Sequence, residues 1–177
     1  MADVNKLKKK AADFEQKKQF DKALQVYVEL LDAYDSSDEE VDLALYNRVG
    51  DLFLKAGNTA DAVVQFTEAL GLRSDNAQAL AGLAWIRATA ADPSLRDSAE
   101  AVSLAERADD ITRHQDVIVI DALGAAYAAA ARYEDAIRVV KTGLALSTAA
   151  GQVSVTAQFR QRLDLYQTGQ PLRIPKP

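Results

Sequence analysis

Regularly spaced alanines constrain this chain more than any other feature. They recur at intervals of 39, 39 and 35 residues, at Ala23, Ala62, Ala101 and Ala136. Self-similarity with a period of about 20 to 50 residues is typical of repeat arrays. Between these alanines, apolar residues recur at steps of three and four, as at Leu45, Val49 and Leu52, which indicates amphipathic helices. The sequence therefore predicts an all-α fold of about nine short helices, each of a length usual in such arrays.

The boundaries of these helices are marked by capping and stop signals. A capping box is expected at Ser37 to Glu40, a further helix start near Asp97, and helix stops at Gly57 and Gly151. The β-branched run from Val117 to Ile120 would be ambiguous by itself. It continues into alanine-rich sequence of helical period, which favours a helix there as well.

Two stretches share a more specific motif. They run Tyr46-x2-Val49-Gly50-x2-Phe53-x8-Ala62-x3-Phe66 and Ile120-x2-Leu123-Gly124-x2-Tyr127-x8-Ala136-x3-Val140. The motif resembles the tetratricopeptide repeat (TPR) of bacterial proteins, a helix-turn-helix unit of about 34 residues. In this motif two antiparallel helices cross closely, so we expect Gly50 to contact Ala62 and Gly124 to contact Ala136.

The resemblance implies a right-handed superhelical solenoid of about four repeats, formed by a single array over residues 1–177. The expected repeats are 3–37, 39–74, 76–112 and 116–149, followed by a capping helix at 152–168 and a tail at 169–177. The capping helix should bury Val155, Phe159, Leu163 and Tyr166 against the last repeat.

The composition excludes several functional classes. The chain has no cysteine and one histidine, which excludes disulfide scaffolds, thiolate metal sites and multi-histidine metal sites. It contains no Gly-Lys phosphate loop, no G-x-G-x-x-G turn and no H-E-x-x-H motif. We therefore expect a non-catalytic protein without a cofactor. The longest run of uncharged residues that are all small or apolar, Ala122 to Ala131, is too short and too rich in alanine to span a bilayer, so a cytoplasmic location is expected.

The charge is unevenly distributed. The net charge is -5, which argues against a general affinity for nucleic acid or anionic membranes. That whole charge belongs to residues 1–72, where lysine is the main basic residue, whereas residues 73–177 are neutral and rich in arginine. The change near Arg73 indicates a fusion, an excised segment or a designed chimera, although a natural gene with biased composition would look the same. The lysines of the first helix, from Lys6 to Lys10, are better explained as a solvated helix face than as a nucleic-acid surface.

In TPR arrays the first helix of each pair lines a concave groove that commonly holds a peptide or a partner helix. Carried onto this chain, the groove positions are Asn5, Lys8, Asn47, Arg48, Asp51, Lys55, Gln78, Trp85 and Asp121. Of the residues with which chaperone-binding relatives clamp a terminal carboxylate, only Lys8 is matched. Recognition of that carboxylate is therefore not expected.

Three further features allow two interpretations each. Trp85, the only tryptophan, is either a binding hot spot or a residue packed beneath the turn from Asp92 to Asp97. The acidic run from Asp32 to Asp42 lacks the glycine of a calcium loop, so helix capping explains it better. His114 has no partner set for metal or triad chemistry and is expected to be structural.

The sequence thus predicts a protein-protein interaction module that binds a peptide or helix in its groove. Two alternatives stay open. One is a self-assembling structural module, a homo-oligomer formed through the terminal repeats or the capping helix. The other is the regulatory TPR segment of a longer bacterial enzyme.

Overall fold

The computed structural model of the chain describes residues 4–33 and 39–174, with side chains described for residues 4–31 and 43–174. The capping box expected at Ser37 to Glu40 and the acidic run from Asp32 to Asp42 therefore lie outside the described side chains.

Within these ranges the chain forms nine α-helices, one short 3-10 helix and no strand. The α-helices are α1 (Val4–Gln16), α2 (Phe20–Ala33), α3 (Glu39–Lys55), α4 (Thr59–Leu72), α5 (Ala77–Thr89), α6 (Ser98–Thr112), α7 (Val117–Ala129), α8 (Tyr133–Ala149) and α9 (Val153–Gln167). The 3-10 helix, Pro93–Leu95, lies in the turn between α5 and α6. The predicted all-α class is confirmed, and Val117 to Ile120 are helical as expected. None of the described helices is long and apolar enough to cross a membrane.

The chain divides into two compact units, the first ending at Ser74 and the second beginning at Asp75. The first unit contains α1 to α4 and the second α5 to α9. This boundary falls beside Arg73, where the sequence changes from lysine-rich to arginine-rich. The arrangement of all the repeats in a single array stays a prediction.

Side-chain caps explain where several helices begin. The carboxylate of Asp97 accepts hydrogen bonds from the amides of Ala99 (3.0 Å) and Glu100 (2.9 Å) at the start of α6. Asp116 accepts one from the amide of Ile118 (2.8 Å) at the start of α7. These bonds satisfy amides that have no partner inside the helix. The helix start expected near Asp97 is confirmed.

Both predicted helix stops are also confirmed. α3 ends at Lys55 and α8 ends at Ala149, each two residues before its glycine. Gly57 has a φ of +81° and Gly151 a φ of +67°, values that glycine adopts without steric strain.

The first unit packs α1 on α2, α2 on α3 and α3 on α4. Its core includes residues with no exposed surface, namely Ala11, Ala23, Leu30, Val49 and Leu52. The close crossing of α3 and α4 differs in detail from the expectation. A Cβ atom at Gly50 would lie 2.7 Å from the ring of Phe66, which supplies the three atoms nearest to that position. The reason is that the aromatic ring, one turn after the alanine, fills the space that the glycine leaves.

The same shift of one turn occurs in the second unit. A Cβ atom at Gly124 would lie 2.9 Å from a methyl group of Val140, whereas Ala136 contributes only its backbone oxygen, at 3.9 Å. The expected contact of Gly124 with Ala136 is therefore present, and in both units the closest approach to the glycine is made by the large residue four positions after the alanine.

The second unit has two apolar clusters. One is formed almost entirely by alanines of α5, α6 and α7, together with Leu123. The other contains Ile120, Val140, Phe159 and Tyr166, which are all nearly fully buried. Helix α9 lies within the expected capping segment and packs on α8, and it buries Phe159 and Tyr166 in this second cluster.

The carbonyl end of α5 is closed by hydrogen bonds from two other segments. The amide of Asp97 and the guanidinium of Arg96, both from the turn that follows α5, donate to the carbonyls of Arg87 (3.0 Å) and Ala90 (3.0 Å). From the end of the chain, Arg173 Nη1 donates to the carbonyl of Ala88 (2.8 Å) and the amide of Ile174 donates to that of Thr89 (2.9 Å). The sequence analysis treated residues 169–177 only as a tail. Residues 171–174, called the strap below, instead pack back onto α5.

Candidate functional site

Two groups of polar side chains join the first helices of successive pairs, one group in each unit. In the first unit, Arg48 of α3 donates two hydrogen bonds to the carboxylate of Glu15 in α1, the Nε bond measuring 2.8 Å. The hydroxyl of Tyr27 donates to the same carboxylate at 2.8 Å. Partial burial by itself lowers the pKa of Arg48, but the hydrogen bonds and charge of Glu15, together with Tyr27, outweigh it, so the pKa is raised overall. Arg48 is thus a permanent cation engaged in an intramolecular pair.

In the second unit, three helices contribute one side chain each to a single cluster. Arg162 of α9 donates from Nε to the carboxylate of Asp121 in α7 at 3.2 Å. Its guanidinium lies 5.5 Å from the centre of the Trp85 ring of α5, within the range of a cation–π contact. We call Trp85, Asp121 and Arg162 the groove cluster. Both members of the ion pair are mostly buried, with side-chain exposures of 19% for Asp121 and 17% for Arg162.

Burial also shapes the titration of this cluster. Loss of solvent raises the pKa of the Asp121 carboxyl, and the attraction of Arg162 opposes that rise without cancelling it. Tyr166, one turn after Arg162, is 1% exposed, and its hydroxyl has no hydrogen-bond partner within the part of the chain that the structure describes. Burial and the nearby charge of Asp121 raise the pKa of this phenol, which stays neutral. The cluster therefore offers a flat aromatic ring, a cation and a carboxylate in a partly dry setting.

Solved structures of other repeat proteins superpose on nearly the whole chain. The crystal structure of MamA protein matches with a TM-score of 0.60 and 15% sequence identity, covering 94% of this chain and 87% of MamA. A variant of a Podosopora anserina chain, described as a kinesin light chain with nearly identical TPR-like repeats, matches with a TM-score of 0.66 and 16% identity, covering 96% and 88%. The fold is that of TPR-like repeats. No family model and no curated protein matches the sequence, so the likeness is one of fold.

The TPR groove positions of the first unit fall into two groups in the structure. Asn5, Lys8 and Lys55 are exposed, and Asp51 is partly buried. Asn47 is only 6% exposed, and its side-chain oxygen has no hydrogen-bond partner among the described residues. Arg48 is exposed, and its guanidinium is paired with Glu15. The structure therefore buries Asn47 and pairs Arg48 within the chain, neither of which the TPR pattern predicted.

The groove positions of the second unit are brought together only in part. Trp85 and Asp121 meet through Arg162, whereas Gln78 lies exposed in the first turn of α5, about two turns from Trp85. Trp85 is partly buried and packs against the alanine cluster, beneath the guanidinium of Arg162.

Sequence reasoning missed Glu15 and Arg162. A signal for Arg162 does exist, because it follows the buried Phe159 by three residues and precedes the buried Tyr166 by four. A cation in that helical register lies on the face that packs inward. No comparable signal identifies Glu15, whose partner Arg48 is 33 residues away.

His114 lies outside both clusters. Its imidazole Nδ1 is 2.5 Å from a carboxylate oxygen of Asp109, and both Arg113 and His114 have a left-handed backbone, with φ of 54° and 59°. The hydrogen bond to Asp109 raises the pKa of His114. Among the described residues, no group of three or more His, Asp or Glu side chains is arranged to hold a metal ion.

Proposed function

We propose that this chain is a non-catalytic protein-binding module, and that its second unit holds a peptide or a partner helix on the face that carries the groove cluster. The observation that supports this most is that Arg162 contacts the ring of Trp85 while it is also ion-paired with Asp121. Tryptophan and arginine are enriched at the centres of protein interfaces, where large planar groups bind with little loss of side-chain freedom.

The chemistry of the cluster fits such a role. Arg162 presents further N–H donors beyond the Nε that Asp121 engages, because a guanidinium has five. A ligand with a backbone carbonyl or an acidic side chain would match those donors. In the first unit, Asn5, Lys8 and Lys55 are the exposed groove positions that we propose for ligand contact.

Because Trp85 is the only tryptophan, its fluorescence reports on this face alone. Peptides selected by display against the whole chain are expected to shift the Trp85 emission and to protect the ring from acrylamide quenching. The substitution Arg162→Gln should weaken their binding about tenfold or more, the loss typical of an interface hot spot.

The matched control is Arg160→Gln, which changes an exposed arginine on the same helix by the same substitution. It should leave the dissociation constant unchanged. Peptides that bind both variants equally, with no effect on Trp85 emission, would show that the site lies elsewhere.

Assembly through the capping helix is the alternative function. It is less well supported, because Phe159 and Tyr166 of α9 are already buried in the chain's own cluster. Light scattering over a range of concentrations separates the two functions, since a peptide-binding module stays monomeric without its ligand.

A further inference from the structure

The strap occupies a defined surface on the second unit. This surface, called the α5 edge below, consists of the carbonyl end of α5, the turn from Ala91 to Asp97, Tyr133 at the start of α8, and the adjoining part of the apolar cluster of α7, α8 and α9. The strap is neither helix nor strand, and it follows the turn at Gly169, whose φ is +68°. Gly169 itself lies against Tyr133, since a Cβ there would be 3.9 Å from that ring.

Three residues of the strap make three different kinds of contact. Leu172 packs against the apolar cluster of α7, α8 and α9. Arg173 donates from its guanidinium to the carbonyl of Ala88, and Ile174 donates its backbone amide to the carbonyl of Thr89. The α5 edge therefore accepts an apolar side chain, then a cation, then a backbone N–H, in that order.

The chemistry of the edge explains this order. The last carbonyls of a helix have no partner within it and carry the negative end of the helix dipole. They are met by donors and preferably by cations, which is what Arg173 and Arg96 supply. Recognition at the α5 edge depends mainly on the spacing of backbone groups and on charge. An extended segment of another protein with an apolar residue, a cation and a backbone N–H in the same order would therefore bind there.

The strap is attached to the α5 edge by few polar contacts among the described residues. These are the hydrogen bonds that Arg173 and Ile174 donate to the last carbonyls of α5. The charge of Arg96 acts on Arg173 in the same direction as partial burial, and both lower its pKa. A short segment that follows a glycine turn and is held by two such hydrogen bonds and one apolar side chain is suited to being displaced.

We propose that the α5 edge is a docking site for an extended segment of a partner protein in which an apolar residue is followed by arginine, and that the strap is its resident occupant in the unbound chain. A partner must displace residues 171–174 to bind. This site is separate from the groove cluster, so it stands or falls independently of the proposed function.

The test uses the full chain and a fluorescein-labelled peptide with the sequence of residues 168–177, followed by fluorescence anisotropy. A released variant, Leu172→Ser with Arg173→Ala, should bind this peptide at least tenfold more tightly than the unmodified chain, whose own strap competes. A peptide with alanine in place of Arg173 should lose most of that affinity. Gln170→Ala, which changes an exposed side chain just before the strap, is the matched control and should behave as the unmodified chain.

If the released variant is poorly folded by circular dichroism, Arg173→Ala alone keeps the Leu172 contact and should give an intermediate affinity. Equal affinities for the unmodified and released chains would overturn the proposal, as would binding that does not depend on the arginine of the peptide. A concentration-dependent dimer of the unmodified chain that is lost in the released variant would overturn it too, because the occupant would then be the strap of a second copy.

Discussion

Gly50 and Gly71 lie in neighbouring helices of the first unit, but their surroundings differ. A Cβ at Gly50 would come within 3 Å of three atoms of the buried Phe66 ring, whereas a Cβ at Gly71 would meet no atom of the described residues within 4 Å outside its own stretch of helix. At Gly50 a missing side chain is what allows α3 and α4 to approach each other. At Gly71 nothing in the packing requires glycine.

We therefore expect Gly50→Ala to lower the free energy of unfolding by about 1 to 3 kcal/mol, the usual range for overpacking a core. Gly71→Ala is the matched control and should leave stability unchanged or raise it by up to about 1 kcal/mol, since alanine favours helix. Urea unfolding followed by circular dichroism measures both. Equal destabilisation by the two substitutions would show that the crossing does not depend on the glycine.

His114 gives a pH-dependent prediction, because it is the only imidazole in the chain. Its pKa is raised by Asp109, so the charged form is favoured by folding. The contribution to stability is complete below the ordinary pKa of about 6.5 and is lost as the pH rises through the raised value. The effect on stability is small, because the side chain is 64% exposed and solvent screens the pair.

The measurement is an NMR titration of the His114 ring protons. We expect a midpoint above 6.5 in the unmodified chain and a return toward 6.5 in Asp109→Asn. A midpoint that does not change on removal of the carboxylate would contradict the assignment of Asp109 as the cause.

At the scale of the elements, α7 and α4 show how differently two helices can begin. Asp116 accepts backbone hydrogen bonds at the start of α7, whereas the side chain of Asn58 makes no capping bond at the start of α4. Both residues belong to the group that favours helix starts, so sequence alone does not separate them.

Asp116→Ala should therefore lower the free energy of unfolding by about 1 kcal/mol, and Asn58→Ala should have a clearly smaller effect. Thermal unfolding of the two variants side by side tests this. The expectation fails if the asparagine substitution is the more damaging one.

Helix α9 shows what the pattern of one element predicts and what it leaves out. Its apolar residues follow a helical period, which predicted a cap that packs on α8, and the structure confirms that packing. The contact of Arg162 with Trp85 depends instead on three helices meeting at one point. Periodicity within one helix carries no information about which residue of another helix lies opposite.

At the scale of the whole molecule too, the features that depend on local sequence were predicted, whereas contacts between distant segments were not. The all-α class, most helix boundaries and the small residues at the crossings follow from local sequence, because capping and periodicity act within a few residues. The Glu15–Arg48 pair and the strap on α5 link residues 33 and 85 positions apart. Such contacts are set by how helices stack, which the repeat motif constrains only through its small residues.

The boundary between the two compact units nearly coincides with the change in composition at Arg73. Four of the five net negative charges belong to the first unit, which includes Arg73, and the alanine-rich cluster belongs to the second. A join between two sources at this point stays a hypothesis. Each unit nevertheless has its own buried cluster, as a segment of separate origin would need.

The alanine cluster of α5, α6 and α7 has one more consequence. An alanine side chain has no rotamers, so this part of the core cannot respond to a disturbance by rearranging its side chains. Closely packed interiors transmit displacement when they cannot absorb it. A force applied to the carbonyl end of α5 would therefore displace α5, α6 and α7 together as a rigid body.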